Sequence, residues 1–154
     1  MTSSGPPRWE ERRRARAAAL QQLYQCEVGG LSLTQAAHVA AELDEAEAPV
    51  LDGAARAFAM TLAGEAWADR AAIDERIGAA TRNWRVERLA VLDRLVLRLA
   101  VAELLHHPET PPRVVLDEAI EIARAFSGDE AARFVNGVLD GVFRRLRDEG
   151  QIGE

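Results

Sequence analysis

The chain has 154 residues, of which 48% are hydrophobic and 29% charged, and it carries a formal net charge of −6. This composition supports one folded domain with its own core and excludes a disordered chain, and the single cysteine, Cys26, excludes an internal disulfide. Because the chain has neither a run of about 18 apolar residues nor a signal-peptide segment, we predict a soluble, cytoplasmic protein.

The first half of the chain predicts helices after a flexible leader at residues 1–7. A first helix is predicted at about residues 9–27, where a glycine pair follows it. The spacing of SLTQ, Ser32–Gln35, predicts a capping box that opens a second helix to about residue 47. An alanine-rich pattern over residues 51–80 predicts further helix, because its large apolar residues recur at helical intervals.

The next segment, residues 89–105, is apolar on nearly all sides, which predicts a central and buried helix. His106 and His107 follow it. We predict that they act as partners of the helix dipole and of its last carbonyl groups rather than as a metal pair. A shorter helix is predicted at about residues 114–126.

The stretch FVNGVLDGVF, residues 134–143, contains two signals that disagree. Asn-Gly and Asp-Gly are typical of hairpin turns, but the apolar residues from Phe134 to Leu146 recur at helical spacing. A strand would alternate with period two, so the helical interpretation wins. Gly137 and Gly141 then lie one turn apart, which predicts the close approach of another helix. Asn136 is predicted to satisfy buried backbone groups.

Helical periodicity therefore extends over about residues 9–146, no strand is predicted, and the fold class is all-α. The sequence contains no Gly-rich phosphate loop, nucleophile elbow or metal-ligand spacing. We predict a protein that is not an enzyme and that uses no metal and no cofactor.

Arginines are concentrated where the first helix begins. Arg12, Arg13, Arg14 and Arg16 oppose the helix macrodipole there, at a cost of about 0.3–1 kcal/mol each, so helix stability does not explain them. They precede the first large apolar residues, and we expect them to project beyond the core as an exposed cluster. An exposed guanidinium cluster binds phosphate well. The alternative is a solvated basic tail.

Three stretches of the sequence resemble one family. RRRARAAALQQLY, residues 12–24, resembles the arginine-rich motif of the bacterial transcription antitermination factor NusB family. WRVERLAVLDRLVLRLAVAELL, residues 84–105, and PPRVVLDEAIEIARAFSGDEAARFVNGVLDGV, residues 111–142, follow the family pattern more closely. The resemblance covers about residues 9–146, and its most specific part is EAIEIARAF followed by FVNGVL.

The resemblance implies an all-α fold of two small helical bundles packed together, with about six to seven helices in a single domain at residues 8–150. The N-terminal bundle would cover about residues 8–82 and the C-terminal bundle about residues 83–150. The resemblance also implies a non-enzymatic role, in which the protein binds boxA RNA of nascent ribosomal RNA transcripts together with ribosomal protein NusE. That assembly joins the RNA polymerase elongation complex with other Nus factors and prevents premature termination.

The resemblance further implies which residues bind RNA and which bind the protein partner. Asp93 matches an acidic position at the border of the RNA and protein surfaces and is the residue expected to bind NusE. The residues expected to bind RNA match the family's RNA-facing positions or lie beside them: Arg12, Arg13, Arg14, Arg16, Tyr24, Glu130, Arg133 and Phe134. Proteins bind single-stranded RNA through phosphate contacts, which guanidinium groups supply, and through base stacking, which aromatic rings supply.

Several of these residues have a purely structural alternative. Tyr24 would pack in the core, and Asp93 would pair with a nearby arginine. Phe134 is predicted to be partly exposed, the alternative being complete burial. Ala131 departs from the family pattern, which often has a hydroxyl residue there, so one hydrogen bond near the RNA is expected to be missing.

Two rival functions stay open. The first is a protein-binding helical adaptor without RNA binding, in which the basic opening is incidental. The second is the NusB-like domain of an RNA methyltransferase. Such enzymes continue into a large α/β domain with a Gly-rich cofactor loop, and because this chain stops at Glu154 we expect no catalysis.

Overall fold

Helices dominate the part of the chain that the structure describes. The computed structural model describes residues 8–46, 51, 53–81 and 85–152. Its helices are α1 (Arg8–Glu27), α2 (Leu33–Ala46), α3 (Gly53–Ala68), α4 (Arg70–Ala80), α5 (Val91–His106), α6 (Pro112–Ser127) and α7 (Asp129–Asp148), with a short 3-10 turn at Val86–Arg88. No strand occurs among these residues, which confirms the all-α prediction. None of these helices combines the length and the apolar character that a membrane-spanning helix requires.

The chain divides into two compact units, Met1–Gly64 and Glu65–Glu154. The division falls inside α3, so the first unit contains α1, α2 and most of α3. The second unit contains the remaining helices. The boundary that the sequence predicted, near residues 82 and 83, lies outside the described residues.

The first unit is built on the buried face of α1. Small and large apolar side chains recur on this face at helical spacing, and they are buried: Ala15, Ala19, Leu20, Leu23 and Cys26. The helix α2 packs against α1. It begins at the predicted capping box, since the Gln35 amide donates to the Ser32 hydroxyl at 3.2 Å and the Ser32 amide donates to the Gln35 side-chain oxygen at 2.9 Å.

The second unit is built around α5, which confirms the prediction of a central buried helix. Every residue from Leu95 to Leu104 is buried, and α5 packs against α4, α6 and α7. Arg98 lies within this buried run and donates two hydrogen bonds to the Asp74 carboxylate of α4, at 2.8 and 2.7 Å. This paired geometry compensates the guanidinium charge that burial would otherwise penalise.

The two glycines of α7 differ in what surrounds them. A Cβ atom at Gly141 would lie 3.2 Å from the Cβ of Ala80 in α4, so the predicted close approach of another helix is confirmed there. At Gly137 nothing lies within 4 Å and the residue is exposed, so the same prediction is wrong at that position. Asn136 is also exposed, and its predicted role of satisfying buried backbone groups is wrong.

The side chains of the two histidines at the C-terminal end of α5 bind carboxylates instead of the predicted helix carbonyl groups. The Nε2 atom of His107 lies 2.6 Å from Oε1 of Glu65, and its Nδ1 lies 3.1 Å from Oε1 of Glu109. His106 Nε2 lies 2.8 Å from Asp69 Oδ2. Burial opposes the protonation of His107, but hydrogen bonds and charge interactions with Glu65 and Glu109 outweigh it and raise the pKa of His107 above 6.5.

Candidate nucleic-acid interface

The four arginines at the start of α1 do not form the exposed cluster that the sequence predicted. Arg16 is only 6% exposed. Its guanidinium lies 5.7 Å from the ring centroid of Phe58 in α3, and that of Arg12 lies over the same ring at 3.8 Å. Both arginines therefore belong partly to the packing of the first unit.

Helical spacing explains this correction. Arg12 and Arg16 are four residues apart, and Ala19 and Leu23 continue the same stripe at i+7 and i+11 from Arg12, so all four lie on the side of α1 that is turned inward. The aromatic face of Phe58 accepts a guanidinium at this distance by a cation–π interaction. The Nη1 atom of Arg12 is buried and has no hydrogen-bond partner among the described residues, so this guanidinium keeps a donor to spare.

The other two arginines lie on the outer side of α1. Arg13 is exposed, and its guanidinium lies 5.4 Å from the ring centroid of Trp9. Arg14 is half-buried and donates to Oε1 of Glu11 at 2.9 Å. Arg13 is thus the member of the motif that is best placed to meet a phosphate in solution.

Tyr24 lies near the other end of α1 and is 40% exposed. This exposure excludes the alternative in which Tyr24 fills the core, a place taken by Leu20 and Leu23. An exposed phenol ring on a helix is able to stack on a base and to form a hydrogen bond through its hydroxyl. Hereafter, the exposed side of α1 that carries Arg13 and Tyr24 is called the α1 surface.

A second surface lies in the second unit, where α5 and α7 begin. A cavity of about 400 Å³ opens there between the residues that precede α5 and the first turns of α7. It is lined by Arg88, Leu89, Ala90, Asp93, Ser127, Glu130, Ala131 and Phe134. Hereafter, this cavity is called the α5–α7 groove.

The α5–α7 groove brings together three of the residues that the family resemblance implied, Asp93, Glu130 and Phe134. Phe134 is half-buried, which confirms the prediction that its ring is partly exposed. Glu130 is exposed and lies one turn of α7 before Phe134. Arg133 is exposed but does not line the groove, so it flanks the other three residues.

Asp93 has an unusual environment in this groove. The residue is half-buried, and no ion pair with an arginine is found for it among the described residues. Burial raises the pKa of the Asp93 carboxyl above its usual value of 3.8. A half-buried carboxyl group is stabilised when a binding partner supplies a hydrogen-bond donor to it.

The groove also contains residues that the sequence reasoning missed. Arg88 adds a cation to the lining of the groove, and Ser127 adds a hydroxyl. Ser127 therefore offers a hydrogen-bonding group in the groove where Ala131 lacks one. No local motif pointed to either residue, because both reach the groove only through the packing of the second unit.

Comparison with known families identifies the family to which the chain belongs. The model of the NusB family matches residues 13–144 of the chain. The chain belongs to the NusB family. The match includes most of the arginine motif, all of α5 and α6, and the greater part of α7.

Relatives and solved structures agree with this assignment. The transcription antitermination protein NusB of Sorangium cellulosum (strain So ce56) is 45% identical over 131 residues, which are 85% of this chain and 90% of that protein. The structure of T. maritima NusB (P3121, Form 2) is 36% identical and has a TM-score of 0.76, covering 86% of this chain and 90% of that one. A crystal structure of the antitermination factors NusB and NusE in complex with dsRNA is 25% identical with a TM-score of 0.78, covering 88% of this chain and 98% of that one. The relative from Sorangium cellulosum carries the name of a transcription antitermination protein. The family assignment confirms the prediction that the protein is not an enzyme.

Proposed function

We propose that the protein is an RNA-binding antitermination factor of the bacterial cytoplasm. It binds boxA RNA of nascent ribosomal RNA transcripts together with ribosomal protein NusE. The assembly joins the RNA polymerase elongation complex with other Nus factors and prevents premature termination. The observation that carries this proposal is the α5–α7 groove, which places Asp93, Glu130 and Phe134 around one cavity.

The α1 surface supplies the phosphate contacts. Arg13 is exposed, and its guanidinium lies 5.4 Å from the ring centroid of Trp9, where it would contact an RNA phosphate. Tyr24, exposed near the other end of the helix, supplies an aromatic face for an unpaired base.

The α5–α7 groove supplies the contacts to bases and to a protein partner. Phe134 offers a partly exposed ring, and the carboxyl groups of Asp93 and Glu130 accept hydrogen bonds from amino groups of bases or from a basic protein. These carboxyl groups also repel phosphate, in a chain whose net charge is already −6. A basic partner is therefore needed to complete the RNA-binding surface, and the similarity to a structure in which NusB, NusE and dsRNA are bound together supports NusE in that role.

One observation favours the adaptor alternative. Arg12 and Arg16 pack against Phe58, so half of the arginine motif has a structural role that needs no RNA. An adaptor would bind NusE or another protein through the α5–α7 groove and would bind RNA only weakly. The relatives named above are antitermination proteins, which gives no support to the methyltransferase-domain alternative.

Fluorescence anisotropy with labelled RNA separates these functions. Single-stranded boxA RNA, a scrambled strand of equal composition and the boxA duplex are titrated with the protein at several salt concentrations. We expect the boxA strand to bind more tightly than the scrambled strand, with an affinity that falls as salt rises. Equal and weak binding of all three RNAs would support the adaptor.

A matched pair of variants locates the contact on α7. Arg133→Ala removes an exposed arginine beside the α5–α7 groove, and Arg144→Ala removes an exposed arginine near the other end of the same helix, where it pairs with Asp140 at 2.9 Å. We expect Arg133→Ala to weaken RNA binding and Arg144→Ala to leave it unchanged. Equal effects of the two substitutions would show that only general charge matters.

A further inference from the structure

Trp9, in the first turn of α1, is the most exposed large hydrophobic side chain among the described residues, at 60%. Neither the family resemblance nor the packing of the first unit gives it a role. Tryptophan is rarely left so accessible, because its indole ring loses much free energy when it stays in contact with water. An accessible indole that the fold does not bury is a candidate for contact with a ligand.

A neighbouring arginine lies close to this indole. The guanidinium of Arg13, four residues further along α1, lies 5.4 Å from the ring centroid of Trp9, within the range of a cation–π interaction. The pair places a flat apolar ring directly beside a positive charge. Arg8, the preceding residue, is exposed as well. An apolar ring beside an arginine fits a nucleotide, in which an unpaired base adjoins a phosphate.

The indole also continues the α1 surface. Trp9, Arg13, Ala17 and Gln21 follow one another at steps of four residues, which forms a ridge along the helix, and Tyr24 lies three residues beyond it. None of these five residues is buried and none carries a carboxylate. From Trp9 to Tyr24 the helix rises by about 22 Å, a length that suits several nucleotides.

We propose that Trp9 is a base-stacking platform that extends the RNA-binding surface to the first turn of α1. This inference rests on the proposed RNA-binding function and adds a second stacking position to that of Tyr24. Its ligand is an unpaired nucleobase whose phosphate meets Arg13. The bases of a duplex are stacked inside it, so the platform favours single-stranded RNA over the duplex.

Substitution at Trp9 tests the proposal by affinity. We expect Trp9→Ala to weaken the binding of single-stranded boxA RNA about fivefold to tenfold with little change in salt slope. Trp9→Phe, which keeps an aromatic ring, retains most of the affinity. The matched control is Met60→Ala, which removes another exposed apolar side chain of the first unit from a different helix and leaves RNA binding unchanged.

A spectroscopic signal keeps this test separate from that of the proposed function. The chain has three tryptophans, so protein labelled with 5-fluorotryptophan gives three fluorine resonances, and Trp9→Phe identifies the one from Trp9. We expect single-stranded RNA to shift the Trp9 resonance. If RNA binds but this resonance stays unchanged and Trp9→Ala keeps full affinity, the platform is refuted while RNA binding stands. If Trp9→Ala weakens binding of NusE without RNA instead, Trp9 is a protein anchor and the platform is equally refuted. A failure of the unsubstituted protein to bind RNA would overturn both proposals.

Discussion

Separate replacement of Arg13 and Arg16 by alanine distinguishes the two kinds of arginine on α1. Arg13 is exposed beside Trp9, whereas Arg16 is 6% exposed and lies near the ring of Phe58. The sequence alone treats them as equal members of one motif. The structure predicts that Arg13→Ala changes RNA binding and that Arg16→Ala changes mainly the stability of the fold.

The magnitudes follow from these environments. Removing one phosphate contact to single-stranded RNA reduces the salt slope by about 0.7, so a fourfold rise in salt weakens the binding of the unsubstituted protein about 2.6 times more than that of Arg13→Ala. The exposed Arg13 side chain contributes little to the free energy of unfolding, and we expect a change below about 0.5 kcal/mol. Replacing Arg16 removes a buried aliphatic stem and a cation–π contact, which costs about 1–3 kcal/mol of unfolding free energy.

Two assays on the same preparations measure both effects. RNA affinity is measured by fluorescence anisotropy at several salt concentrations, and the free energy of unfolding is measured by urea denaturation followed by circular dichroism. Each affinity is corrected for the folded fraction. The reasoning is refuted if Arg16→Ala lowers the salt slope as much as Arg13→Ala does while its unfolding free energy is unchanged.

Three further predictions follow from the second unit. Gly141→Ala should lower the free energy of unfolding by about 1 kcal/mol, because the new Cβ would lie 3.2 Å from that of Ala80. Gly137→Ala should raise it by about 0.5–1 kcal/mol, because nothing lies within 4 Å of a Cβ there and alanine favours the helix. Urea denaturation measures both changes, and equal effects would contradict the contact with Ala80. The raised pKa of His107 adds stability that is fully present below the pKa of 6.5 in the unfolded chain and is lost as the pH rises through the pKa in the folded protein. The urea midpoint of the unsubstituted protein should therefore fall between about pH 6 and about pH 9, and that of His107→Gln should fall less. Parallel pH profiles of the two proteins would contradict the assignment. Phe134→Ala should weaken RNA binding by about 1–3 kcal/mol with little change in salt slope, because a partly exposed ring that stacks on a base is lost. Anisotropy measures the affinity, circular dichroism checks the folded fraction, and an unchanged affinity of the folded protein would contradict the role of Phe134 in stacking.

The helices were predictable because their signals are local. The capping box depends on Ser32 and Gln35 alone, and its reciprocal hydrogen bonds are present. The nearly continuous apolar run of α5 required burial on all sides, and that helix is central in the second unit. In α7 the period of the apolar residues prevailed over two turn dipeptides, because burial of a continuous stripe outweighs the local preference of two glycines.

The partners of individual side chains were not predictable, because they come from distant parts of the chain. Arg16 meets Phe58, which lies on another helix, and no pattern around Arg16 distinguishes it from Arg13. Gly137 and Gly141 occupy equivalent places in the sequence pattern, yet only Gly141 faces a neighbouring helix. His107 was expected to bind helix carbonyl groups, and its ring nitrogens instead reach two carboxylates.

The candidate site was predictable in part for the same reason. The family resemblance pointed to Asp93, Glu130 and Phe134, and the packing of α5 and α7 places all three around one cavity. Arg88 and Ser127 line the same cavity but have no motif of their own. The sequence thus predicted three residues of the candidate site, and only the fold shows which neighbours share their cavity.

The central claim is that this acidic protein binds boxA RNA jointly with a basic partner. The most direct measurement is the affinity for single-stranded boxA RNA with and without a saturating concentration of NusE, at one fixed salt concentration. Because the chain carries a net charge of −6 and the groove carries the carboxyl groups of Asp93 and Glu130, we predict that NusE increases the affinity for boxA RNA and not that for a scrambled strand. Equal boxA affinity with and without NusE would contradict the account.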